Sequence, residues 1–414
     1  MLFFAAIALA MVLSSAPAMA QTETVLYSFG ALPYDVTLDR PTFRLVADQA
    51  GNLFGTAFYG GPDKAGGAFE LNRHTAAGQP WDYSTLFTFS RGFGQYPSGV
   101  IFDKAGNLYG TTLSGGKGFG TAFELSPTTG TSYSETVLYE FQNNLDGWEP
   151  QSGLIFDSAG NLYGTTTNGG ELQGGTAFKL SPPATSGGSW TKTTIHSFGN
   201  NSAKQPFAGG CEPLGSLTLG PRGTLYGVTF ECGASGAGVV FQLTPPTSGD
   251  GEWQETVLHT FGGAGDGAKP YSGVVVGKGG YLYGTTGLGG ANGFGTVYQL
   301  VPPSIKGGSW TENILYSFAN GDDGGMPFAP VTLASDGTLY GTASQSGSGV
   351  GVVYQLTPPG SAAMPWTQSV VYGFSGGADG GRPTGGVLVL GGALFGTTTQ
   401  GGANKEGVVY EITF

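Results

Sequence analysis

Residues 160–180 read GNLYGTTTNGGELQGGTAFKL, residues 106–125 read GNLYGTTLSGGKGFGTAFEL, and residues 280–300 read GYLYGTTGLGGANGFGTVYQL. A chain that repeats one unit at a fixed interval builds one structural module per copy. The glycine of the LYG or LFG step recurs at Gly55, Gly110, Gly164, Gly227, Gly284, Gly341 and Gly396, at spacings of 55, 54, 63, 57, 57 and 55 residues. A period near fifty with strand-like content predicts seven propeller blades.

Each copy holds four strand candidates. In the third copy, SGLIFD (152–157) is a short continuous apolar run of the kind buried on both faces. A DSAGN turn leads into NLYGTT (161–166), a glycine-rich loop into GTAFKL (175–180), and an SPP step into KTTIHSF (192–198). The phase of the repeat is informative. ETVLYSF (23–29) is a fourth-type strand at the start of the chain, and GVVYEI (407–412) is a third-type strand at its end. The last copy is one strand short and the first has one to spare. Joining them closes the ring and removes the exposed sheet edges that are the usual liability of β proteins. The expectation is an all-β, seven-bladed β-propeller with four antiparallel strands per blade. Its N-terminal strand pairs into the last blade, bringing the termini together in a ring complete as a monomer.

Composition agrees. Glycine is the commonest of the 414 residues at 78, aromatics make up 13% and charged residues only 11%. Many tight turns between packed strands fit these numbers, whereas disorder does not. The net charge is −12 and no basic stripe is present, which excludes a nucleic-acid binder. Residues 1–20 read as a secretory signal: an apolar run at 2–13, then Ala18-Met19-Ala20 before a cleavage at Gln21, although no lysine or arginine precedes the run. No other apolar run is long enough to span a membrane. The expected organisation is a signal at 1–20 and a single propeller domain over 21–414, secreted or periplasmic.

Trp81, Trp190, Trp253, Trp310 and Trp366 each precede by eight residues the phenylalanine that ends a fourth strand, and Tyr133 takes that place before Phe141. The expected role is to staple each hairpin of third and fourth strands.

The unit GNLYGTT…GG…GTAFEL resembles the GloVer-type tandem repeat, a choice-of-anchor family of extracytoplasmic bacterial proteins, over nearly the whole chain after residue 20. The resemblance implies the β-propeller-like repeat and an extracytoplasmic setting. It brings no activity with it. Members often end in a sorting signal, and this chain ends on a strand.

Cys211 and Cys232 are the only cysteines, and they flank the first hairpin of blade four, whose turn is GPRG (220–223). Pairing across that turn sets them opposite each other, and an oxidising compartment then favours a disulfide. Neither a zinc site nor dithiol chemistry fits two cysteines without nearby histidines or a Cys-x-x-Cys spacing.

A proline stands in each connection from a fourth strand to the next first strand: Pro41, Pro97, Pro150, Pro206, Pro270, Pro327 and Pro383. Its fixed φ aims the flanking residues alike in every blade. Before it stand Arg40, Tyr96, Glu149, Gln205, Lys269, Met326 and Arg382, and after it Thr42, Ser98, Gln151, Phe207, Tyr271, Phe328 and Thr384. Arg40, Tyr96, Glu149, Gln205, Phe207, Lys269, Tyr271, Phe328 and Arg382 form the candidate ligand ring at the channel mouth. Aromatic faces stack on sugar rings, and arginine and lysine pair with carboxylates. A glycan or a cell-envelope protein is the expected partner. The alternatives are a polysaccharide lyase or glycoside hydrolase at the same mouth, with Glu149 as acid or base, or Tyr96 as base beside Arg40 or Lys269, and a plain scaffold. The Asp-Gly pairs at 146, 266, 323 and 379 read as turn formers rather than calcium loops, and no metal or cofactor is expected. Gly-x-Ser-x-Gly at 373–377 lacks the following helix of a nucleophile elbow. His196 and His259 fall where other blades have tyrosine, so they read as packing variants.

Overall fold

A computed structural model describes residues 21–30, 38–74, 79–185, 187–199, 209–247, 253–305, 307–347, 349–361 and 364–414. The signal-like residues 1–20 and the candidate residues Gln205, Pro206 and Phe207 lie outside the described residues. The chain folds as a seven-bladed β-propeller of antiparallel sheets, and its only helical elements among the described residues are three-residue 3-10 turns. No helix there is long and apolar enough to cross a membrane.

Blade three shows the plan. Its strands Ile155–Phe156, Leu162–Thr166, Gln173–Ser181 and Thr191–Gly199 are hydrogen-bonded in chain order from the axis outward. In the last blade, Leu388–Leu390, Ala393–Thr398 and Val408–Thr413 are joined by Thr22–Ser28 as the fourth strand. The pairing runs from Thr22 with Thr413 to Ser28 with Val408, with a register shift between Val25 and Tyr27. The other blades shift at the matching place, for example between Ala122 and Phe123 or between Val297 and Tyr298. The closing strand thus reproduces the bulge of an ordinary blade, which aims Leu26 into the cluster around Phe29.

The repeated motif has a physical reason at each position. The LYG glycine faces a third-strand aromatic: a Cβ on Gly164 would sit 2.7 Å from the Phe178 ring, its register partner. The threonine after it bridges blades. Thr56, Thr111, Thr165, Thr285, Thr342 and Thr397 donate to the carbonyls of Ser98, Pro150, Pro213, Ala329, Gly385 and Phe43, at 2.8 to 3.4 Å. Each of these acceptors belongs to the next blade's innermost segment, so the motif writes the ring as well as the blade. Only blade four departs, with Val228 in this column.

Two expectations are corrected. The tryptophans do more than staple their own hairpins, as Trp81 does with Arg73 at 5.9 Å: they also join neighbouring blades. Trp190, Trp253, Trp310 and Trp366 pack on Tyr109, Tyr163, Tyr226 and Tyr283 of the preceding blade, and Trp81 packs on Phe395 of blade seven, at centroid distances of 5.9 to 6.4 Å. A side chain at a hairpin end reaches past its own sheet to the neighbouring one, because blades pack face to face. The disulfide Cys211–Cys232 is present, with a Cα–Cα distance of 5.3 Å, but the two cysteines are not register partners. Cys232 faces Gly210 and Cys211 faces Glu231, because the ladder slips relative to the one nearer the turn, where Thr218 faces Tyr226.

Candidate functional site

The proline-bearing connections carry the fold's most constrained backbone. Arg40, Tyr96, Glu149, Glu212, Lys269, Met326 and Arg382 all sit at φ between 53° and 61°, a region that costs non-glycine residues energy. Each is held there by a bond to the preceding blade. The amides of Tyr96, Glu149, Glu212, Lys269 and Met326 donate to the carbonyls of Ala65, Phe119, Gly174, Ala237 and Phe294 at 2.8 to 3.1 Å. Arg40 does the same to Glu406 at 3.0 Å, and Arg382 to Val350. The strain recurs in all seven blades, so it belongs to ring assembly.

In blade four this position is held by Glu212 and Pro213, so Leu214 takes the inward place assigned in sequence to Phe207. The signal was in the spacing. Pro213 lies 14 residues before Gly227, as Pro150 does before Gly164 and Pro270 before Gly284, whereas Pro206 lies 21 before it.

The ring of candidate residues divides into two sets. The residues before the prolines lie over the blade tops and do not line the channel. Glu149 accepts a 2.8 Å hydrogen bond from Asn168. Lys269 pairs with Glu231 at 2.7 Å, and its ammonium lies 4.6 Å from the Phe230 ring centre. Arg40 and Tyr96 come together on Tyr59: the guanidinium is 5.1 Å from that ring and the Tyr96 ring 5.3 Å from it. Arg40 also reaches Glu406 at 3.8 Å. Arg382 borders a separate polar hollow with Asn320 and Gln400. Glu149 and Lys269 stand in blades three and five, away from the Arg40–Tyr96 pair, so no acid, base and cation converge among these candidates.

The residues after the prolines line the central channel, a cavity of about 640 Å³ walled by the innermost segments of all seven blades. Thr42, Gln151, Leu214, Tyr271, Phe328 and Thr384 line it, while Ser98 is buried and bonded to Thr111. Phe230, Tyr271 and Phe328 form a run of aromatic contacts, the first tilted and the second edge-on, with centroids 4.7 and 4.6 Å apart. Tyr271 remains 37% exposed, so part of its side chain is open to the channel. Burial raises its hydroxyl pKa above the ordinary value, so it stays a neutral donor.

Deeper in the channel one column decides the wall. Ahead of the buried aliphatic residue of each first strand stand Arg44, Gly99, Gly153, Ser216, Gly273, Pro330 and Gly386, all lining the cavity. Small residues are needed because neighbouring segments converge at the axis: a Cβ on Gly273 would fall 2.0 Å from the Ser216 carbonyl. Arg44 is the exception, and it is the only charged side chain among the described residues lining the channel. Sequence reasoning passed it over because it sits in strand register, not in a loop. An arginine in a column of glycine, serine and proline was the available signal.

A second polar belt runs between blades at the outer strands. Lys192 bonds Asp146 at 2.8 Å, and Tyr316 and Tyr372 donate to Asp323 and Asp379 at 3.0 and 3.2 Å. His259 lies 3.2 Å from Asp266 and 3.5 Å from Glu312. Burial alone would lower the His259 pKa, but the Asp266 hydrogen bond and the Glu312 charge hold it above the ordinary value. Glu312 is pushed up to about 7, chiefly by burial. His259, Asp266 and Glu312 have the ligand types of a divalent-cation site, all within 4.8 Å of one another. The same place is filled elsewhere by Lys192 beside Asp146, Gln368 beside Asp323, Glu23 beside Asp379 and Glu255 beside His196, which marks it first as an inter-blade contact. His196 and His259 pack on Phe198 and Phe261 at 4.6 and 4.8 Å, as Tyr139 does on Phe141. Ser375 donates to Asp379 at 2.6 Å in a turn, so its carboxylate partner is a turn former.

Residues 11–212 match the Gloeobacter/Verrucomicrobia repeat. No curated protein is similar in sequence to the chain. Among solved structures, the fold is similar to that of a Bacteroides uniformis protein assigned as a 6-phosphogluconolactonase, at 15% identity, covering 85% of this chain and 89% of that one with a TM-score of 0.53. It is also similar to PorZ, a surface component of the type-IX secretion system of Porphyromonas gingivalis, at 12% identity over 92% of this chain and 47% of that one, with a TM-score of 0.49. A third is an ulvan lyase, at 11% identity over 90% and 94% of the two chains, with a TM-score of 0.44. The first of these likenesses, at 15% identity, bears on the fold alone.

Proposed function

The chain carries the Gloeobacter/Verrucomicrobia repeat over residues 11–212, and from that premise we propose that it is an extracytoplasmic recognition module that binds a glycan in its central channel without turning it over. The observation that carries this reading is the channel wall. It is mainly apolar, bears the partly exposed Tyr271 beside Phe328, and has Gln151, Thr42 and Thr384 as polar points. An aromatic platform with a few polar groups suits the face and hydroxyls of a sugar ring. The wall's described residues include no carboxylate, histidine or cysteine. Hydrolysis of a glycosidic bond by a pair of carboxyl groups needs such residues at the reacting atoms.

An extracytoplasmic setting is supported by the signal-like residues 1–20 and by the Cys211–Cys232 disulfide. Fold likeness to enzymes and to a secretion component does not choose between functions, because propellers host many.

The test is a panel of neutral and acidic oligosaccharides, with melting temperature and released reducing or unsaturated ends recorded together. A rise in melting temperature without new ends, lost on Tyr271→Ala or Phe328→Ala, is the expected result. New ends that disappear on Glu149→Gln or Tyr96→Phe would replace binding with catalysis. A protein that responds to no sugar would remove the glycan from the account.

A further inference from the structure

Among the described residues, Arg44 has no counter-charge. No hydrogen bond, ion pair or ring contact links its side chain to any described residue, although the protein as a whole carries a net charge of −12. Arg40 on the ring top has partners in Glu406 and Tyr59, while Arg382 borders its own polar hollow away from the channel. The guanidinium is open to water in the channel but is surrounded by protein walls, and burial draws its pKa below the ordinary value. Exposed to channel water and facing no anion among the described residues, the guanidinium keeps its donors free for an anion that enters the channel. Packing does not require it here, since six blades fill the same position with glycine, serine or proline.

We propose that Arg44 is the anion-binding residue of the channel, and that the ligand presented to it is a sugar bearing a carboxylate or a sulfate ester. This rests on the channel-binding reading and narrows it to a ligand class. The chemistry is specific. A guanidinium offers paired N–H donors in one plane, matching the two oxygens of a carboxylate or two of a sulfate. Tyr271 and Phe328 supply the ring face and Arg44 the charge, so a uronic acid or sulfated sugar would meet both in one cavity. With no carboxylate among the described lining residues, nothing in the wall competes for the arginine or repels the anion.

Two measurements test this on the full protein. The first is calorimetric titration with trigalacturonate and its trimethyl ester, and with a sulfated galactan oligosaccharide and its desulfated form. The wild type should prefer each charged member. Arg44→Gln should weaken charged ligands by roughly 10- to 100-fold and leave the uncharged ones unchanged, with Arg44→Lys intermediate. Phe328→Ala should weaken both members of each pair.

The second needs no sugar. Crystals soaked in selenate should show an anomalous peak within hydrogen-bond distance of Arg44, absent in Arg44→Gln. Loss of both members on Phe328→Ala with an unaltered charged-to-uncharged ratio in Arg44→Gln would overturn the role of Arg44 and leave the channel reading standing. Failure of every oligosaccharide to bind would overturn the channel reading and the ligand class together. A selenate peak at Arg44 would then retain only the anion site.

Discussion

Reduction of the Cys211–Cys232 disulfide should lower the melting temperature of the ring by about 4 °C. The bond joins residues 21 apart in sequence and encloses the whole first hairpin of blade four. Cross-linking a loop of that length removes about 11 cal/mol/K of entropy from the unfolded chain, or roughly 3 kcal/mol at 25 °C. Unfolding entropy near ~2.1 cal/mol/K per residue gives about 0.9 kcal/mol/K for a 414-residue chain. Dividing one by the other gives the shift. Reduction leaves both side chains in place, so it isolates the cross-link. Replacing both by alanine adds the loss of packing at two buried sites, with Cys211 only 4% and Cys232 only 1% exposed. Scanning calorimetry with and without a phosphine reductant, and on Cys211→Ala/Cys232→Ala, measures each part. The double variant should melt below the reduced protein. A reduced protein melting within about 1 °C of the oxidised one would refute the premise that blade four unfolds together with the ring.

The inter-blade belt predicts a pH dependence. Burial foremost lifts Glu23, Glu135 and Glu312 from 4.5 to about 7, so the folded state holds protons that the unfolded chain releases. The stability they contribute is complete below pH 4.5 and is lost as pH rises through 7, so the melting temperature should be higher at pH 5 than at pH 8. Glu135→Gln should narrow that gap by raising the value at pH 8. Thr285→Val leaves the buried Ala329 carbonyl without its 3.0 Å donor and should cost about 1–2 kcal/mol in denaturant unfolding. An unchanged midpoint would deny the threonine its bridging role, which Val228 in blade four already does without. Deleting residues 21–29 removes the strand paired to Val408–Thr413 and the buried Phe29. The bared edge should drive self-association, seen by light scattering after size-exclusion chromatography. A monodisperse monomer would contradict closure by this strand.

The blade plan was legible because seven copies put the same residue types at each structural position. The spare strand at 23–29 and the missing one after 412 followed from phase alone. What stayed hidden were relations between blades. Trp310 lies beside its own hairpin in sequence, yet it packs on Tyr226 one blade back. The longer blade-four connection offered a proline at 206 that imitates the ring position, and constant spacing to the LYG glycine would have chosen Pro213. A two-residue slip between two short ladders moved Cys232 opposite Gly210. The candidate ring split because proline turns the chain: residues before it bond outward to the neighbouring blade, and residues after it descend the channel. Arg44 escaped notice for want of a loop signature, although its column is otherwise glycine, serine or proline.

The central claim is that the ligand sits inside the channel and leaves it unchanged. A crystal structure with the tightest-binding oligosaccharide of the panel tests it most directly. The account predicts an intact sugar within the channel, one ring stacked on Tyr271 or Phe328 and an anionic group turned to Arg44. Sugar density over the Arg40–Tyr59–Tyr96 cluster on the blade tops, or a cleaved product in the channel, would contradict it.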